Sequence, residues 1–405
     1  MKVIIVGAGP AGATLALLLA RANVQVTLVE QAHDFDRVFR GEGLMPAGVD
    51  ALFQMGLGDL LHTIPSRYLE SWNIYLEGKE IFVVPEPLEK LGNRALSIIP
   101  QTAFLEGVVE RAQAFPSFRF LPGTAVQDLL TDDNQRVMGV QIRHHKQISE
   151  LTADLVIGCD GRGSIVRRRA GLKLNLLPDQ YDVLWFKLPA PARLQDRCQF
   201  LLMARAQAHP AACYTSWDGR LQYGLILPKG GLGQLGEQDW LAAAVAPAPD
   251  WLADHVMTHQ EQVSEPIRLN VIVGRCHTWT VPGLLLLGDA AHPMSPVRAQ
   301  GVNLALRDAI VAANHLIPAL RKNSAAVDRA AQQVQDERLP EVVRSQTLQL
   351  RESASLNDIR NATWKLTLAQ YLAPILGRLP IVQRAWLARQ HDLRFGSVTV
   401  QLQTD

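Results

Sequence analysis

The chain opens on a change of hydrophobic period. Lys2-Val3-Ile4-Ile5-Val6 is apolar at consecutive positions and β-branched, which predicts a parallel strand buried on both faces. Small residues follow at Gly7-Ala8-Gly9-Pro10-Ala11-Gly12, and Ala13 to Arg21, rich in Ala and Leu, predicts a helix. Val24 to Glu30 predicts a second strand, so the opening segment is a β–α–β unit.

The pattern then alternates. Residues 36 to 63 read as a loop followed by a helix. Ser71 to Leu76, a turn at Gly78-Lys79, and Ile81 to Val84 predict a β-hairpin. Residues 102 to 114 predict a helix. From 118 to 148, short strands between Pro122-Gly123 and Asp132-Asp133-Asn134 predict an antiparallel meander. Ala153 to Gly158 repeats the buried-strand pattern. Residues 182 to 227 hold four aromatic-rich strand-like runs, and 237 to 260 reads as helical. A further strand is expected over 267 to 273. From Gly301 onward the chain reads as helices interrupted at Pro318, Pro340, Pro374 and Pro380. Alternating runs interrupt the α/β segments, so a second domain is inserted rather than appended.

Composition narrows the class. The 405 residues imply two or three domains, enough to bury a core without disulfides or a structural metal. Forty Lys and Arg against 39 Asp and Glu exclude a binder driven by phosphate neutralisation, so no nucleic-acid partner is expected. Cys159, Cys198, Cys213 and Cys276 are dispersed and form no CxxC pair, which points to a reduced, cytoplasmic setting. No apolar run approaches the roughly 20 residues of a membrane span. The stretch from Met1 to Ala20 imitates a secretory leader, but Gly7, Gly9, Pro10 and Gly12 punctuate it.

Those glycines carry the first chemistry. In Gly7-x-Gly9-x-x-Gly12, the first permits the tight strand-to-helix turn. The second lets backbone approach a pyrophosphate, and the third lets helix pack on strand. Pro10 and Ala11 open the helix whose N-terminus favours phosphate. Glu30, 18 positions after Gly12, is placed to bind an adenosine ribose. The motif by itself does not separate NAD from FAD.

Two more segments do. Asp154 to Gly161 is a strand ending in Asp160-Gly161, followed by Ser164 and Arg167; Leu284 to Pro293 ends in Gly288-Asp289-Ala290-Ala291-His292-Pro293, with Pro296, Gln300-Gly301 and Asn303 beyond. In this order and spacing the three motifs resemble the class A FAD-dependent monooxygenases of the para-hydroxybenzoate hydroxylase type, over about residues 1 to 340. The overall look is similar to the branch that includes ubiquinone-pathway and polyketide hydroxylases.

The resemblance implies an α/β fold: a Rossmann-type FAD-binding domain, an inserted, mainly antiparallel substrate domain, and a C-terminal helical segment. The expected boundaries are 1–70, 96–175 and 274–340 for the FAD-binding domain, 71–95 and 176–273 for the substrate domain, and 341–405 for the C-terminal segment. It implies FAD as cofactor and NADPH or NADH as co-substrate. It places Gly7, Gly9, Pro10, Ala11 and Gly12 at the pyrophosphate, Glu30 at the ribose and Arg40 near the pyrophosphate. Gln101 and Asp289, with Gly288, fall at the ribityl chain, and Asp160 falls near FAD and the nicotinamide nucleotide. Pro296, Gly301, Val302 and Asn303 lead the helix that points at the isoalloxazine ring, where its N-terminus favours the charge of reduced flavin.

The implied reaction is hydroxylation of an electron-rich aromatic or lipophilic small molecule through a flavin C4a-hydroperoxide. Because flavin carries the chemistry, no catalytic acid–base pair is required. The alternative is an FAD-dependent reductase or dehydrogenase of an isoprenoid-like substrate. Trp185, Phe186, Tyr214, Trp217 and Tyr223 are candidate pocket walls, although strand alternation can place only some of them there. Ser295 stands where many members have a second proline and Arg298 where many have glycine, so Arg298 is a candidate contact to substrate, phosphate or ring.

Weaker signals have ordinary explanations. His255-x-x-x-His259 has metal-ligand spacing but no third ligand, and no metal is expected. Arg167-Arg168-Arg169 is either a solvated helix start or a phosphate attractor for NAD(P)H. Trp364 to Arg389 either packs on the FAD-binding domain or rests on a membrane surface. A monomer or homodimer is expected.

Overall fold

The structure is a computed structural model that describes residues 1–36, 41–178, 181–233, 240–361 and 377–403. Its first sheet has six strands, ordered 280–281, 284–286, 155–158, 2–6, 25–29 and 118–121. Only Thr280–Val281 runs antiparallel to its neighbour. Lys2–Val6 pairs Gln25–Val29 on one side and Leu155–Gly158 on the other, so the glycine motif and the Asp-Gly motif emerge side by side. Leu284–Leu286 pairs Leu155–Gly158 and brings the Gly-Asp motif to the same edge. Parallel order brings the three motifs together because every one follows a strand carboxyl end, where ligands of such sheets bind.

Phe118–Leu121 corrects one expectation. It is not in the meander but is the outer parallel strand, beside Gln25–Val29. The meander itself is Thr124–Thr131, Val137–His144 and Gln147–Thr152. Its apolar residues Val126, Val137, Val140 and Ile142 join the same core as the parallel sheet. Helices Pro10–Arg21 and Gln101–Gln113 pack together, and Gln300–Leu320 lies on the first of them.

The second sheet has seven strands, ordered 267–269, 181–189, 220–228, 211–215, 199–204, 71–76 and 79–85. It is antiparallel except where Gln199–Ala204 runs parallel to Ser71–Leu76. The hairpin from early in the chain therefore forms one edge of this sheet. Tyr181–Pro189 shows why aromatics could not be sorted by composition. Its odd residues Tyr181, Val183 and Trp185 pack into one apolar cluster, and Leu184, Phe186 and Leu188 pack into another. Period-two alternation sends them to opposite faces. The second cluster is covered by the helices Trp240–Val245 and Asp250–Thr258, which Pro247 and Pro249 separate.

Two prolines do not break helices as expected. Pro318 lies inside Gln300–Leu320 and Pro340 inside Ser324–Asn361. The break comes at 321–323 instead. Pro318 is in the last turn, and around Pro340 the buried Val334, Arg338 and Val342 anchor the long helix to the core. Pro374 is outside the described residues, and Pro380 occupies the first turn of Pro380–Arg389, where its missing N–H is free of cost.

The C-terminal segment divides. Trp386 and Leu387 pack on the cluster of the second sheet, and Gln383 Nε2 donates to Val83 O at 3.0 Å. Val398, Val400 and Leu402 pack on the core of the parallel sheet. The helix 380–389 thus lies on the substrate-domain sheet rather than on the FAD-binding domain. Residues 362–376 of the segment from Trp364 lie outside the described residues.

Candidate active site

A cavity of about 1010 Å³ is lined by both sheets and by all three motif loops. Gly7 adopts φ +100°, and a Cβ there would sit 2.5 Å from Cys159 O. A Cβ on Gly12 would sit 2.0 Å from Gly7 O. Both glycines are needed for the turn to pack, and Gly12 does not line the cavity. Gly9 is different: a Cβ there would meet nothing within 4 Å, so its open side faces the cavity. Glu30 is buried and accepts the Ala8 amide at 2.8 Å and the Ala32 amide at 2.9 Å. Pro10 and Ala11 line the cavity beside it.

Asp160 lines the same cavity and caps the helix Ile165–Arg169. Its carboxylate accepts Ser164 Oγ at 2.5 Å, the Ile165 amide at 2.7 Å and the Val166 amide at 3.1 Å. Burial pushes its carboxyl up, and those hydrogen bonds resist the shift. Of the three neighbouring arginines, Arg167 is buried and donates to Ala290 O and Arg162 O, so it serves structure. Arg168 and Arg162 line the cavity.

Gly288, Asp289, Pro296, Gly301 and Val302 line the cavity, as does Gln101, the first residue of its helix. A Cβ on Gly301 would meet only Asp289 Oδ1, at 3.8 Å. Asn303 does not line the cavity. It is buried, its Oδ1 accepts the Met45 amide at 2.9 Å and its Nδ2 donates to Ala299 O at 2.6 Å. It pins the helix start to the segment around Met45. Arg40 lies outside the described residues.

The wall candidates separate by face. Trp185 and Tyr214 line the cavity. Tyr223 and Phe186 face the opposite side: they stack at 4.9 Å under Trp240, and Tyr223 Oη donates to Ala244 O at 2.7 Å. Trp217 lies beside Lys187, whose Nζ is 5.4 Å from its ring centroid, and does not line the cavity. Trp72 and Phe200 do line it, with centroids 5.0 Å apart, and Phe200 stacks on Tyr214 at 6.2 Å. Both follow from alternation within their strands, but no spacing in the sequence pairs them. Gly224 belongs to this wall; a Cβ there would come within 2.7 Å of the Trp185 ring.

One polar cluster escaped sequence reasoning, and a second surrounds a residue whose partners the sequence did not give. Buried Glu42 accepts Lys187 Nζ at 2.9 Å, Ser216 Oγ at 2.7 Å and Tyr214 Oη at 3.3 Å. Lys187 also donates to Asp218 at 3.1 Å. Burial, and then the Glu42 charge, push the Tyr214 phenol well up, so it stays protonated at neutral pH. A lone acid between Gly41 and Gly43 was the available signal. The second cluster surrounds Arg298. Its guanidinium carbon lies 4.2 Å from the Trp72 ring centroid and 4.8 Å from that of Trp386, and Nε donates to Glu352 at 3.0 Å. Trp72 Nε1 in turn donates to Glu86 at 2.6 Å. Arg298 and Ala299 both have left-handed backbone, φ 57° and 49°, at a cost of order 1 kcal/mol each for residues with a Cβ.

His255 and His259 hold one another rather than converging on a third group. His255 Nε2 contacts Pro189 O at 2.8 Å, and His259 Nδ1 contacts His255 O at 2.9 Å.

Residues 1–345 match the family model described as FAD binding domain. The chain belongs to the class A FAD-dependent monooxygenases. It is 32% identical to 6-methylpretetramide 4-monooxygenase of Streptomyces rimosus, over all of this chain and 94% of that protein. It is 26% identical to 3-hydroxybenzoate 6-hydroxylase of Klebsiella oxytoca, over 76% of this chain and 78% of the relative. The crystal structure of p-nitrophenol 4-monooxygenase from Pseudomonas putida shares the fold, with TM-score 0.78 and 17% identity over 98% of each chain. The monooxygenase therefore uses FAD, with NAD(P)H as co-substrate, and acts on a small molecule. These comparisons do not favour the isoprenoid reductase alternative. Among the described residues, no helix is long and apolar enough to cross a membrane.

The residues present fit FAD. Gly9 leaves a cradle that a side chain would fill, at the N-terminus of a 12-residue helix. Gly301 leaves a second cleared surface at the start of a 21-residue helix, beside Asp289.

Proposed function

We propose that this monooxygenase hydroxylates a flat, electron-rich aromatic molecule laid against the Trp72–Phe200–Tyr214 wall. One observation carries the reading: that aromatic wall and the open glycine cradle line a single cavity. Stacked aromatic rings favour flat ligands over saturated chains. The relative from Streptomyces rimosus is named for 6-methylpretetramide, and that substrate class is extended to this chain as part of the proposal.

When bound, FAD supplies the redox and oxygen-activating chemistry. The chain supplies position and exclusion of water. The Gly7–Gly12 loop and helix N-terminus would hold the pyrophosphate, and Glu30 would hold the ribose. Asp289 and Gln101 would hold the ribityl chain, and the Gly301 helix start would favour the charge of reduced flavin. Trp185, Ile226, Leu269 and Val271 keep the substrate side apolar, so water is kept from the reacting centre. Tyr214, protonated and tethered to Glu42, presents a neutral hydroxyl beside the substrate. No side chain is required as a catalytic acid or base.

The enzyme is read as cytoplasmic, consistent with four free cysteines, and as a monomer or homodimer. Peripheral membrane contact would fall to exposed Leu379 and Ile381, and flotation with anionic vesicles checks it.

The test is oxygen incorporation. FAD-loaded enzyme with NAD(P)H is given naphthols or an unsaturated isoprenoid alcohol under ¹⁸O₂. A naphthol product heavier by one labelled oxygen is expected. Faster NAD(P)H oxidation with the isoprenoid, and no labelled naphthol, would sink the reading.

A further inference from the structure

We propose that Arg298 is the anion-binding residue of the substrate cavity, holding a carboxylate carried at the edge of the flat aromatic substrate. The inference rests on the proposed aromatic substrate and adds a charged group to it. Arg298 occupies a left-handed backbone position that glycine would adopt without strain, yet it carries a long cationic side chain. Strain retained beside a cavity is a pointer to a role for the side chain.

The surroundings say what that role is. Trp72 and Trp386, whose ring centroids are 5.9 Å apart, both lie against the guanidinium, and Glu352 takes its Nε edge. Neither Nη group has a hydrogen-bond partner among the described residues, and the side chain is 15% exposed within the cavity lining. With two rings against the guanidinium and Nε taken by Glu352, the Nη groups are the hydrogen-bond donors that remain for a ligand. A planar, weakly hydrated guanidinium edge matches the two oxygens of a carboxylate, and such charge-assisted pairs are the strong ones.

Two neighbouring cations are otherwise committed. Lys187 is committed to Glu42, Ser216 and Asp218. Arg394, near Arg298, is committed to Glu86. Trp72 connects the arginine to the ring platform, since it stacks obliquely on Phe200, which stacks on Tyr214. A ring lying along Phe200 and Tyr214 therefore points one edge toward Arg298.

The test compares two probes of nearly equal shape on FAD-loaded enzyme by calorimetry at pH 7.5. These are 1-hydroxy-2-naphthoate, with the carboxylate, and 1-naphthol, without it. The ratio of their affinities is the readout, so a general loosening of the wall cancels. The wild type should favour the naphthoate by about tenfold or more, as a charge-assisted fork does. Arg298→Gln should bring the ratio to about one, and Arg298→Lys, which keeps charge but loses the fork, should leave it between the two. Absorbance confirms that each variant holds FAD. Equal binding of the two probes by the wild type, or an undiminished ratio in Arg298→Gln, overturns the assignment while leaving the aromatic reading intact. Failure of both probes to bind the wild type overturns the aromatic reading, and this inference with it. Should Arg298→Gln not fold, an unchanged ratio in Arg298→Lys overturns the assignment.

Discussion

Asp308 and His292 form a fully buried pair, with Oδ2 and Nε2 2.7 Å apart. The same oxygen accepts the Gly288 amide at 3.1 Å, and Oδ1 accepts Arg338 Nε at 2.7 Å. One carboxylate on the helix Gln300–Leu320 thus holds both ends of the Gly288–His292 turn, which presents Asp289 to the cavity.

Asp308→Asn should therefore loosen that turn. Burial works against the Asp308 charge, but His292 and Arg338 outweigh it and hold the carboxyl well below the usual carboxylate range. A depressed carboxyl adds stability above its unfolded value of about 3.9, and that stability is lost as pH falls through the folded value. The variant should lose about 3–5 kcal/mol at pH 7, with a smaller loss toward pH 3. Urea titrations at both pH values check this; equal stability of variant and parent at pH 7 would refute it.

Gly7 and Gly9 should fail in different ways. Gly9→Val has open space for its side chain, so the protein should fold with an unchanged melting temperature and lose FAD affinity by more than about tenfold. Gly7→Ala meets the Cys159 carbonyl and a left-handed backbone, so stability itself should fall by at least about 1–3 kcal/mol. Thermal unfolding of flavin-free protein, paired with flavin titration, separates the two. A Gly9→Val protein that is as yellow as the parent would remove the pyrophosphate assignment.

Tyr223 and Tyr214 lie on opposite faces of one sheet. Tyr223→Phe should cost about 1–3 kcal/mol through the unpaired Ala244 carbonyl and leave kcat/KM unchanged. Tyr214→Phe should change KM or kcat for an aromatic substrate, because Tyr214 lines the cavity and its hydroxyl is tethered to Glu42. Steady-state kinetics with denaturant melts tests the contrast, and the reverse pattern would invert the assignment of faces.

Ala299→Gly should stabilise the protein by about 1 kcal/mol, because φ 49° suits glycine and strains alanine. A fall in the urea midpoint would show that the Ala299 methyl packs for more than its backbone costs.

Much of this protein was readable from sequence because its signals are local. The β-branched run, the three glycines and Glu30 form one continuous unit whose conformational demands fall within about 30 residues. Each later motif sits at the end of its own strand, so parallel order alone brings Gly7, Asp160 and Asp289 to one edge. Those residues predicted dinucleotide binding, and the resemblance carried by all three motifs implied FAD.

What the sequence could not show depended on partners distant along the chain. Alternation said that Trp185 and Phe186 face opposite ways, but not which way the cavity lay; the helices at 240–258 decided that by covering the Phe186 face. Asn303 carries the family motif, yet its hydrogen bonds to Met45 and Ala299 make it a brace. Arg298 was visible as a departure from pattern, but its setting required Trp72, Glu352 and Trp386, from three separate elements. The sequence by itself determined the strand–loop–helix units and their dinucleotide-binding turn, because backbone geometry at glycine and at strand ends is a local property, and the resemblance carried by the three motifs implied FAD. Only the tertiary structure decided the substrate wall, because packing joins side chains whose separation in the sequence carries no periodic signal.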